Sequence, residues 1–367
     1  MREPFDLTTL IEPLLNWFKD HARVLPWRNE PTPYRVWVSE IMLQQTRVEA
    51  VKPYFDRFLK ELPDVAALSD CPEEKLLKLW EGLGYYNRVR NMQIAAQTVM
   101  ENYHGELPAD YEALIKLKGI GHYTAGAIAS IAFGIPVPAV DGNVLRVISR
   151  VTEDDADIMK ASVRTAMEKD LLEIMPENRA GAFNQALMEL GATVCLPNGA
   201  PLCEACPWKE VCRAQKSGRW RELPVKSKAK ARRIEDRTVL VIKAEDKVLL
   251  HKRANKGLLA GLYEFPNVEG HLSEEEALEE EVITYLKKMG LSPIRLKKLE
   301  DSRHIFSHIE WHMTGYAVQI DETEQEYQNM LFVDVKETEE QYPIPAAFSR
   351  YTGYMNIRLG NDRYKEE

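Results

Sequence analysis

The stretch LKGIGHYTAGAIASIAFG, residues 117–134, decides the fold of the N-terminal part of this chain. A helical pattern ends at Lys118, two glycines flank Ile120, and a run of small residues typical of a second helix follows directly. Two helices joined by such a turn form a hairpin in which the first backbone amides of the second helix point outward. These amides and the helix dipole favour anions, so Gly119 and Gly121 are candidates for holding a DNA phosphate. The alternative is a helical hairpin without a ligand.

The hairpin lies inside a long helical region. Apolar residues recur every three or four positions in LLNWFKD, YRVWVSEIMLQQT, EKLLKLWEGLGYYNRV, YEALIKLK and AFNQALMELGATV. Later segments, RTVLVIKAEDKVLLHKR and HIEWHMTGYAV, are β-branched or aromatic runs typical of strands, with one helical stretch between them. We therefore predict an all-α domain at residues 1–220, a basic linker at 221–233 and an α+β domain at 234–360.

Composition and charge limit the possible functions. The chain has 367 residues, of which 45% are hydrophobic, so it can form two ordinary globular domains. The N-terminus lacks the pattern of a secretory signal and no apolar run is long enough to cross a bilayer, so a cytoplasmic protein without a membrane partner is expected. A net charge of −9 argues mildly against nucleic acid as a partner. However, residues 213–233 carry nine basic side chains against one acid, which indicates either a phosphate-contacting linker or a solvated spacer.

One glutamate stands out in the segment YRVWVSEIMLQQT. On a helix, Glu40 shares the apolar face with Val36, Trp37 and Leu43. Burial among such groups raises the pKa of a carboxyl, which makes Glu40 a candidate general acid near neutral pH. The alternative is a glutamate at the edge of the stripe that reaches water.

A second carboxyl follows an apolar run in VPAVDGNVLRVISRV. Asp141 lies at a turn that opens another helix, so it is either a simple N-cap or a functional carboxylate. The positive end of the helix dipole favours the ionised form, and we expect Asp141 to remain charged at neutral pH. One carboxyl in the acid form beside another held as the anion is the arrangement that breaks glycosidic bonds.

Four of the five cysteines fall within eighteen residues, CLPNGAPLCEACPWKEVC, 195–212. Clustered thiols in a reducing cytosol indicate a metal site, and four thiolates can bind either tetrahedral zinc or an iron–sulfur cluster. The spacing alone leaves both metals open. The ligands would be Cys195, Cys203, Cys206 and Cys212.

Taken together, these features resemble a known family. A helix–hairpin–helix, an Asp in VDGNV, a Glu in SEIMLQQT and a four-cysteine loop resemble the endonuclease III superfamily of DNA glycosylases. Within it, LPWR, VSEIMLQQTRVE, WEGLGYYNR and AVDGNVLRV are similar to the MutY family of adenine DNA glycosylases. The resemblance implies hydrolytic removal of adenine opposite 8-oxoguanine or guanine, from a nucleoside flipped out of duplex DNA by a monomeric, nucleoid-associated enzyme. It also implies a [4Fe-4S] cluster, although the first cysteine interval here is seven residues rather than the usual six.

The resemblance assigns roles residue by residue. Glu40 would protonate the departing adenine and Asp141 would stabilise the cationic sugar, with Tyr123 and Asn143 beside them. Trp27, Arg28 and Leu43 would line the adenine pocket, whereas Gln45 and Tyr85 would wedge into the duplex near the lesion. Bifunctional relatives carry a lysine at the place of Tyr123, so a phenol there implies a monofunctional glycosylase.

The C-terminal part resembles a Nudix domain, with GLLAGLYEFP matching a strand and turn. Tyr285, Lys287 and Lys288 occupy or adjoin positions that a Nudix hydrolase needs to be acidic, so metal-dependent hydrolysis is not expected. The resemblance instead implies a lesion reader in a hairpin loop formed by Phe306, Ser307 and His308, for which an ordinary β-turn is the alternative. Two other functions stay open at this point: a metal-bearing DNA-binding protein without activity, and a nucleotide pyrophosphohydrolase with a helical accessory domain.

Overall fold

The computed structural model describes residues 4–228, 231–270, 275–321 and 330–365. The chain divides into two compact units. The first contains residues 1–70 and 90–229, and the second contains residues 71–89 and 230–367. This division differs from a single cut near residue 220, because an internal segment of the helical region packs with the C-terminal residues.

The helical region follows the predicted pattern closely. Its helices are α1 (Ile11–His21), α2 (Pro26–Asn29), α3 (Pro33–Leu43), α4 (Val48–Glu61), α5 (Val65–Asp70), α6 (Glu73–Leu79), α7 (Asn87–Asn102), α8 (Tyr111–Lys116), α9 (His122–Phe133), α10 (Gly142–Thr152), α11 (Ala161–Glu173), α12 (Ala180–Thr193) and α13 (Arg213–Lys216). No strand occurs before residue 233 in the part of the chain that the structure describes. The all-α prediction for this region is confirmed.

A buried apolar cluster unites α1, α10, α11 and α12 in the first unit. Leu14, Val144, Leu171 and Phe183 belong to it, and Cys195, Cys206 and Cys212 pack against it. The four-cysteine loop is therefore attached to the same core that carries the start of α10. Among the described residues, no helix has both the length and the apolar content needed to cross a membrane.

One predicted helix is interrupted. The pattern EKLLKLWEGLGYYNRV predicts continuous helix, but α6 ends at Leu79 and α7 begins at Asn87. Gly82, Gly84 and Tyr85 between them adopt positive φ angles of 96°, 68° and 49°. An L-residue helix cannot contain such angles, so the prediction of a single helix is wrong here.

The second unit contains a mixed sheet. Its strands are β1 (Arg233–Ala244), β2 (Lys247–Lys252), β3 (Tyr263–Glu264), β4 (Asn267–Glu269), β5 (Pro293–Lys298), β6 (Ser302–Ile305), β7 (Ile309–Ile320) and β8 (Met330–Asp334). They pair in the order β3-β2-β1-β7-β5, with β4 beside β1, β6 beside β7 and β8 beside β2. Strands β1 and β7 are parallel neighbours, which gives the α+β architecture predicted for this part of the chain.

Both faces of this sheet are covered. Val239 and Val241 of β1 pack with Phe348 and Tyr351 on one face. Leu240 and Ile242 face the opposite side, where α14 (Glu275–Lys288) contributes Val282 and Leu286. Two further helices of the unit are α15 (Val335–Glu340) and α16 (Ser349–Thr352). Tyr285 is half-buried on α14, whereas Lys287 and Lys288 are exposed.

The predicted basic linker is partly held by the first unit. Arg219 pairs with Asp155 at 2.5 Å and with Glu222 at 2.8 Å. The backbone amide of Ile158 donates to the carbonyl of Val225 at 3.1 Å. Residues 219–227 are therefore fixed by ion pairs and backbone hydrogen bonds rather than forming a free spacer.

Candidate active site

The hairpin predicted at residues 117–134 is present. Helix α8 ends at Lys116 and Gly121 is the N-cap of α9. Gly119 has a φ of 79°, and a Cβ there would come within 2.7 Å of the Asn91 Cβ. A Cβ at Gly121 would meet nothing within 4 Å. Glycine is thus required by the fold at position 119, while position 121 leaves open space before the helix amides.

Glu40 lies in α3 with only 6% of its surface exposed. Burial raises the pKa of this carboxyl to about 7. A hydrogen bond from Tyr123 lowers the pKa, the charge of Asp141 raises it, and the guanidinium of Arg28 lowers it. The direction agrees with the sequence prediction: a carboxyl with this pKa can carry a proton near neutral pH.

Tyr123, the second residue of α9, holds the Glu40 side chain in place. Its hydroxyl donates a short hydrogen bond to Glu40 Oε2 and lies 3.4 Å from Met188 Sδ. Burial and the neighbouring Glu40 and Asp141 raise the pKa of the phenol well above its usual range. Tyr123 therefore stays a neutral donor that orients the acid.

Asp141 is the N-cap of α10, as the pattern predicted. Its Oδ1 accepts from the Val144 amide at 2.8 Å and its Oδ2 accepts from Asn143 Nδ2 at 2.7 Å. That Asp141 remains charged at neutral pH stays a prediction, although burial raises the pKa of its carboxyl. The hydrogen bonds from Val144 and Asn143 oppose this effect and favour the anion.

A chain of hydrogen bonds runs from Asp141 to the first cysteine. Arg146 Nη2 donates to Asn143 Oδ1 at 2.8 Å, and Arg146 Nε donates to the carbonyl of Cys195 at 2.8 Å. A Cβ at Gly191 would come within 2.5 Å of the Asn143 Cβ, so this close approach requires glycine. Sequence reasoning missed both Arg146 and Gly191, because nothing local marks a contact that spans nearly fifty residues.

A buried carboxylate that sequence reasoning also missed lies in α12. Glu189 is 1% exposed and accepts from Arg23 Nε at 2.6 Å and from Arg28 Nη2 at 2.9 Å. Burial raises the pKa of Glu189, but the hydrogen bonds from Arg23 and Arg28 outweigh it and lower the pKa overall. Arg28 also donates to Gln185 at 3.1 Å. Glu189 is an acidic residue within an apolar helix pattern, and this signal, which identified Glu40, could have identified Glu189 as well.

The other residues assigned to the adenine pocket and the duplex wedge lie around α3. Trp27 precedes Arg28 on α2 and packs edge-on against Phe55, with ring centroids 5.5 Å apart. Leu43 ends α3 and is partly exposed. Gln45, two residues later, is exposed and has a φ of 65°. This geometry projects a polar side chain from a turn just beyond the helix that carries Glu40.

The four clustered cysteines line one cavity. Cys195, Cys203, Cys206 and Cys212 line it together with Arg150 and Trp220. Arg150 Nη1 lies 3.4 Å from Cys195 Sγ and donates to the Leu196 carbonyl at 2.8 Å. Within the described ranges, no three His, Cys, Asp or Glu side chains converge closely enough to share one metal ion.

Two basic residues in and just after this loop have partners in the protein. Lys209 pairs with Glu204, and the Arg213 guanidinium lies 5.1 Å from the centroid of the Phe5 ring.

The second unit contains the residues assigned to lesion reading. Phe306, Ser307 and His308 form the turn between β6 and β7, closed by the Phe306 amide donating to the Ile309 carbonyl at 2.8 Å. Ser307 and His308 are exposed. The predicted hairpin loop is thus present.

Two aromatic residues frame this loop. The Phe306 ring packs inward against Trp311 at 4.9 Å, which differs from a ring pointing freely into a base stack. Tyr85 belongs to the same unit, is 51% exposed, and has its hydroxyl 3.5 Å from Ser307 Oγ.

Comparisons with known proteins agree with this geometry. Residues 38–173 match the model of the HhH-GPD superfamily of base excision DNA repair proteins, and residues 237–352 match the NUDIX domain. A solved thermostable thymine-DNA glycosylase is 26% identical and superposes with a TM-score of 0.51, covering 58% of this chain and all of that protein. An endonuclease III from a non-covalent DNA complex is 25% identical, with a TM-score of 0.50, and covers 59% of this chain and all of that protein.

Full-length relatives extend the similarity over both units. Adenine DNA glycosylase of Mus musculus is 36% identical over 86% of this chain and 72% of its own length. That of Buchnera aphidicola subsp. Baizongia pistaciae is 33% identical over 83% of this chain and 84% of its own length. The human enzyme is 34% identical over 87% and 68%, respectively. At these identities and coverages, the chain belongs to the family of adenine DNA glycosylases.

Proposed function

We propose that this adenine DNA glycosylase acts on adenine paired with 8-oxoguanine, or with guanine, and leaves an abasic site without cutting the strand. The observation that carries the proposal is the group formed by Glu40, Tyr123 and Asp141. Its protonated acid is oriented by a neutral phenol and lies beside a hydrogen-bonded carboxylate. Few other reactions need a buried acid and a neighbouring anion around one small space.

Each residue then has a distinct task. Adenine reaches the site only when its nucleotide is flipped out of the duplex. Glu40 gives its proton to the leaving purine, which weakens the glycosidic bond, and the sugar develops positive charge. Asp141 stabilises that charge, and a water molecule supplies the hydroxyl group of the abasic sugar.

Whether the DNA strand is cut after base removal depends on the residue at position 123. Strand cleavage by relatives of this superfamily needs an amine that forms a Schiff base with the sugar. The phenol of Tyr123 cannot form one, and its hydrogen bond is committed to Glu40. The proposed product is therefore free adenine and an intact strand with an abasic site.

The turn 306–308 supports reading of the opposite base. Ser307 and His308 are exposed polar side chains on a hairpin, and Tyr85 lies beside Ser307. Polar groups of this kind can hydrogen-bond to the edge of a base, where 8-oxoguanine differs from guanine in its donors and acceptors. The outward amides that follow Gly121 offer a site for backbone phosphate. We further propose that the protein acts as a monomer in the cytoplasm, at the nucleoid.

The four thiols fit a [4Fe-4S] cluster. They line one cavity, and a cluster in which each iron takes one thiolate does not require the sulfurs to converge on a single ion. Arg150 beside Cys195 Sγ suits the negative charge of a thiolate-bound cluster. When bound, the cluster would supply a rigid link that fixes the loop 195–212 to the core.

A visible absorption spectrum distinguishes the two metals. We expect the anaerobically purified protein to be brown, with a broad visible band that bleaches on oxidation and is lost in Cys203→Ser. Zinc has a filled d shell and gives no such band. Colourless protein that contains stoichiometric zinc would contradict the iron–sulfur assignment, whereas Cys71→Ser, outside the loop, should keep the band.

The proposed reaction is tested by incubating the protein with duplexes that carry adenine opposite 8-oxoguanine, guanine or thymine. We expect adenine release from the first two and strand scission only after alkaline treatment of the abasic product. Absence of release at micromolar enzyme would refute the proposal. Release at equal rates from all three duplexes would refute only the opposite-base preference.

The pKa of Glu40 sets the expected pH dependence. Because burial raises that pKa to about 7, the acid is protonated below this pH and ionised above it. The single-turnover rate of adenine release should therefore fall, as pH rises through about 7, in proportion to the protonated fraction. DNA affinity measured over the same pH range serves as the control. A rate that stays constant through this range would exclude Glu40 as the titrating acid.

A further inference from the structure

Residues 71–89 lie within the matched glycosylase region but pack with the C-terminal unit. This segment contains α6 and the turn that leads to α7. It contains a buried ion pair, Lys78–Glu81, which we call the anchor pair. Hydrogen bonds made by these two side chains join the segment to the C-terminal residues. The mechanism proposed above does not use either residue.

Lys78 places an ammonium group in the interior of the second unit. Its side chain is 6% exposed, and Nζ donates to Glu81 Oε1 at 2.9 Å. It also donates to the carbonyls of Thr338 and Tyr342, each at 3.0 Å. Burial lowers the pKa of Lys78 to about 8, which shows how far the ammonium is removed from water. All three of its donors are thus matched by acceptors.

Glu81, three residues after Lys78, is the acidic member of the anchor pair and also binds the C-terminal residues. It is 1% exposed, and Oε1 also accepts from the Ile344 amide at 2.9 Å. Oε2 accepts from the Gly360 amide at 3.1 Å. Buried ion pairs contribute little net stability but can fix register, because partners of opposite charge tolerate no sliding. The anchor pair therefore sets the position of α6 relative to residues 338–360.

The turn that follows presents Tyr85 in a strained conformation. A φ of 49° is unfavourable for a tyrosine and persists only where neighbours enforce it. Trp80 Nε1 donates to the Gly84 carbonyl at 3.1 Å, and Arg88 Nη2 donates to the Leu83 carbonyl at 3.0 Å. Trp80 is adjacent to Glu81, so the anchor pair and the turn form one continuous, hydrogen-bonded element.

We propose that Lys78 and Glu81 are positioning residues for recognition of 8-oxoguanine. They let the C-terminal residues 338–360 set the separation between the Tyr85 phenol and the turn 306–308, 3.5 Å apart at Ser307. Tyr85 and Ser307 then act as one reader whose two halves come from distant parts of the sequence. This inference rests on the proposed preference for 8-oxoguanine.

The test is Glu81→Gln, which keeps the side-chain volume but removes the charge opposite Lys78 and turns one acceptor into a donor. The measured quantity is the ratio of second-order rate constants for duplexes with adenine opposite 8-oxoguanine and opposite guanine. Both duplexes are measured on one preparation, so the folded fraction cancels. We expect this ratio to fall roughly tenfold, while the rate on the guanine duplex at saturating enzyme stays near the wild-type value.

Glu74→Gln is the matched control on the same helix. Glu74 is exposed and accepts from Lys252 Nζ at 2.6 Å and from the Tyr263 hydroxyl at 3.1 Å, so it also joins α6 to the C-terminal residues. A solvent-exposed ion pair such as Lys252–Glu74 contributes little to fixing the position of α6. Its loss should leave the ratio unchanged.

The outcomes separate the two proposals. A ratio that stays at the wild-type value in Glu81→Gln, while Tyr85→Ala lowers it, overturns the anchor role and leaves the proposed function intact. A fall of equal size in Glu74→Gln overturns it as well. Wild-type protein without a preference for 8-oxoguanine refutes the proposed reading itself. If Glu81→Gln does not fold, Lys78→Met combined with Glu81→Gln removes both buried charges together and decides by the same ratio.

Discussion

Glu40→Gln is expected to lower the single-turnover rate of adenine release by about 10²–10⁴-fold, the usual contribution of a positioned general acid. Glutamine keeps the volume of the side chain, and its carbonyl can still accept the hydrogen bond from Tyr123. The amide cannot give a proton to the departing purine. The loss should therefore appear in the chemical step and not in binding.

Two measurements isolate this effect. Affinity for a duplex that carries a non-hydrolysable adenosine analogue opposite 8-oxoguanine should match that of the wild type. The residual rate should no longer fall as pH rises through about 7, because the group that titrates there is gone. A variant that releases adenine at full rate would remove Glu40 from the mechanism.

Asp141→Asn is expected to lower the same rate by about 10²–10³-fold, as the loss of one preorganised electrostatic contact typically does. Asparagine is as good an N-cap as aspartate, so α10 should still begin at Gly142. The substitution therefore removes the negative charge beside the sugar while the local fold is kept.

A companion variant separates charge from hydrogen bonding. Asn143→Ala removes the 2.7 Å contact to Asp141 Oδ2 but leaves the carboxylate in place, so its rate loss should be the smaller of the two. Asp141→Asn should also shift the alkaline fall of the residual rate to lower pH, since the charge of Asp141 raises the pKa of Glu40. An unshifted profile would mean that the two carboxyls do not interact.

Much of the fold follows from local pattern. The helices at Ile11–His21, Pro33–Leu43 and Ala180–Thr193 come from apolar residues at helical spacing. The same rule failed at residues 80–86, because apolar spacing continues through a turn that Gly82 and Gly84 interrupt with positive φ. Glycines inside an otherwise periodic stretch were the missed signal.

Only part of the candidate active site could likewise be predicted from the sequence. Glu40 was found because an acid on an apolar stripe contradicts its surroundings, and the resemblance supplied its partners. The rise in the pKa of Asp141 could not be anticipated from the sequence, because the helix end is a local feature, whereas burial depends on the packed fold. Arg146 and Gly191 could not be found from one sequence, since their importance lies in contacts to Asn143 and Cys195.

The packing of residues 71–89 with the C-terminal unit has a consequence for damage to the gene. A nonsense codon after residue 89 and before residue 338 would remove the backbone partners of Lys78 and Glu81, although both residues would still be translated. Two opposite charges would then lie at the end of α6 and just after it, without the carbonyls and amides that hold them. A shortened polypeptide would thus be destabilised near α6 as well as at its C-terminal end, and it would be more open to proteolysis.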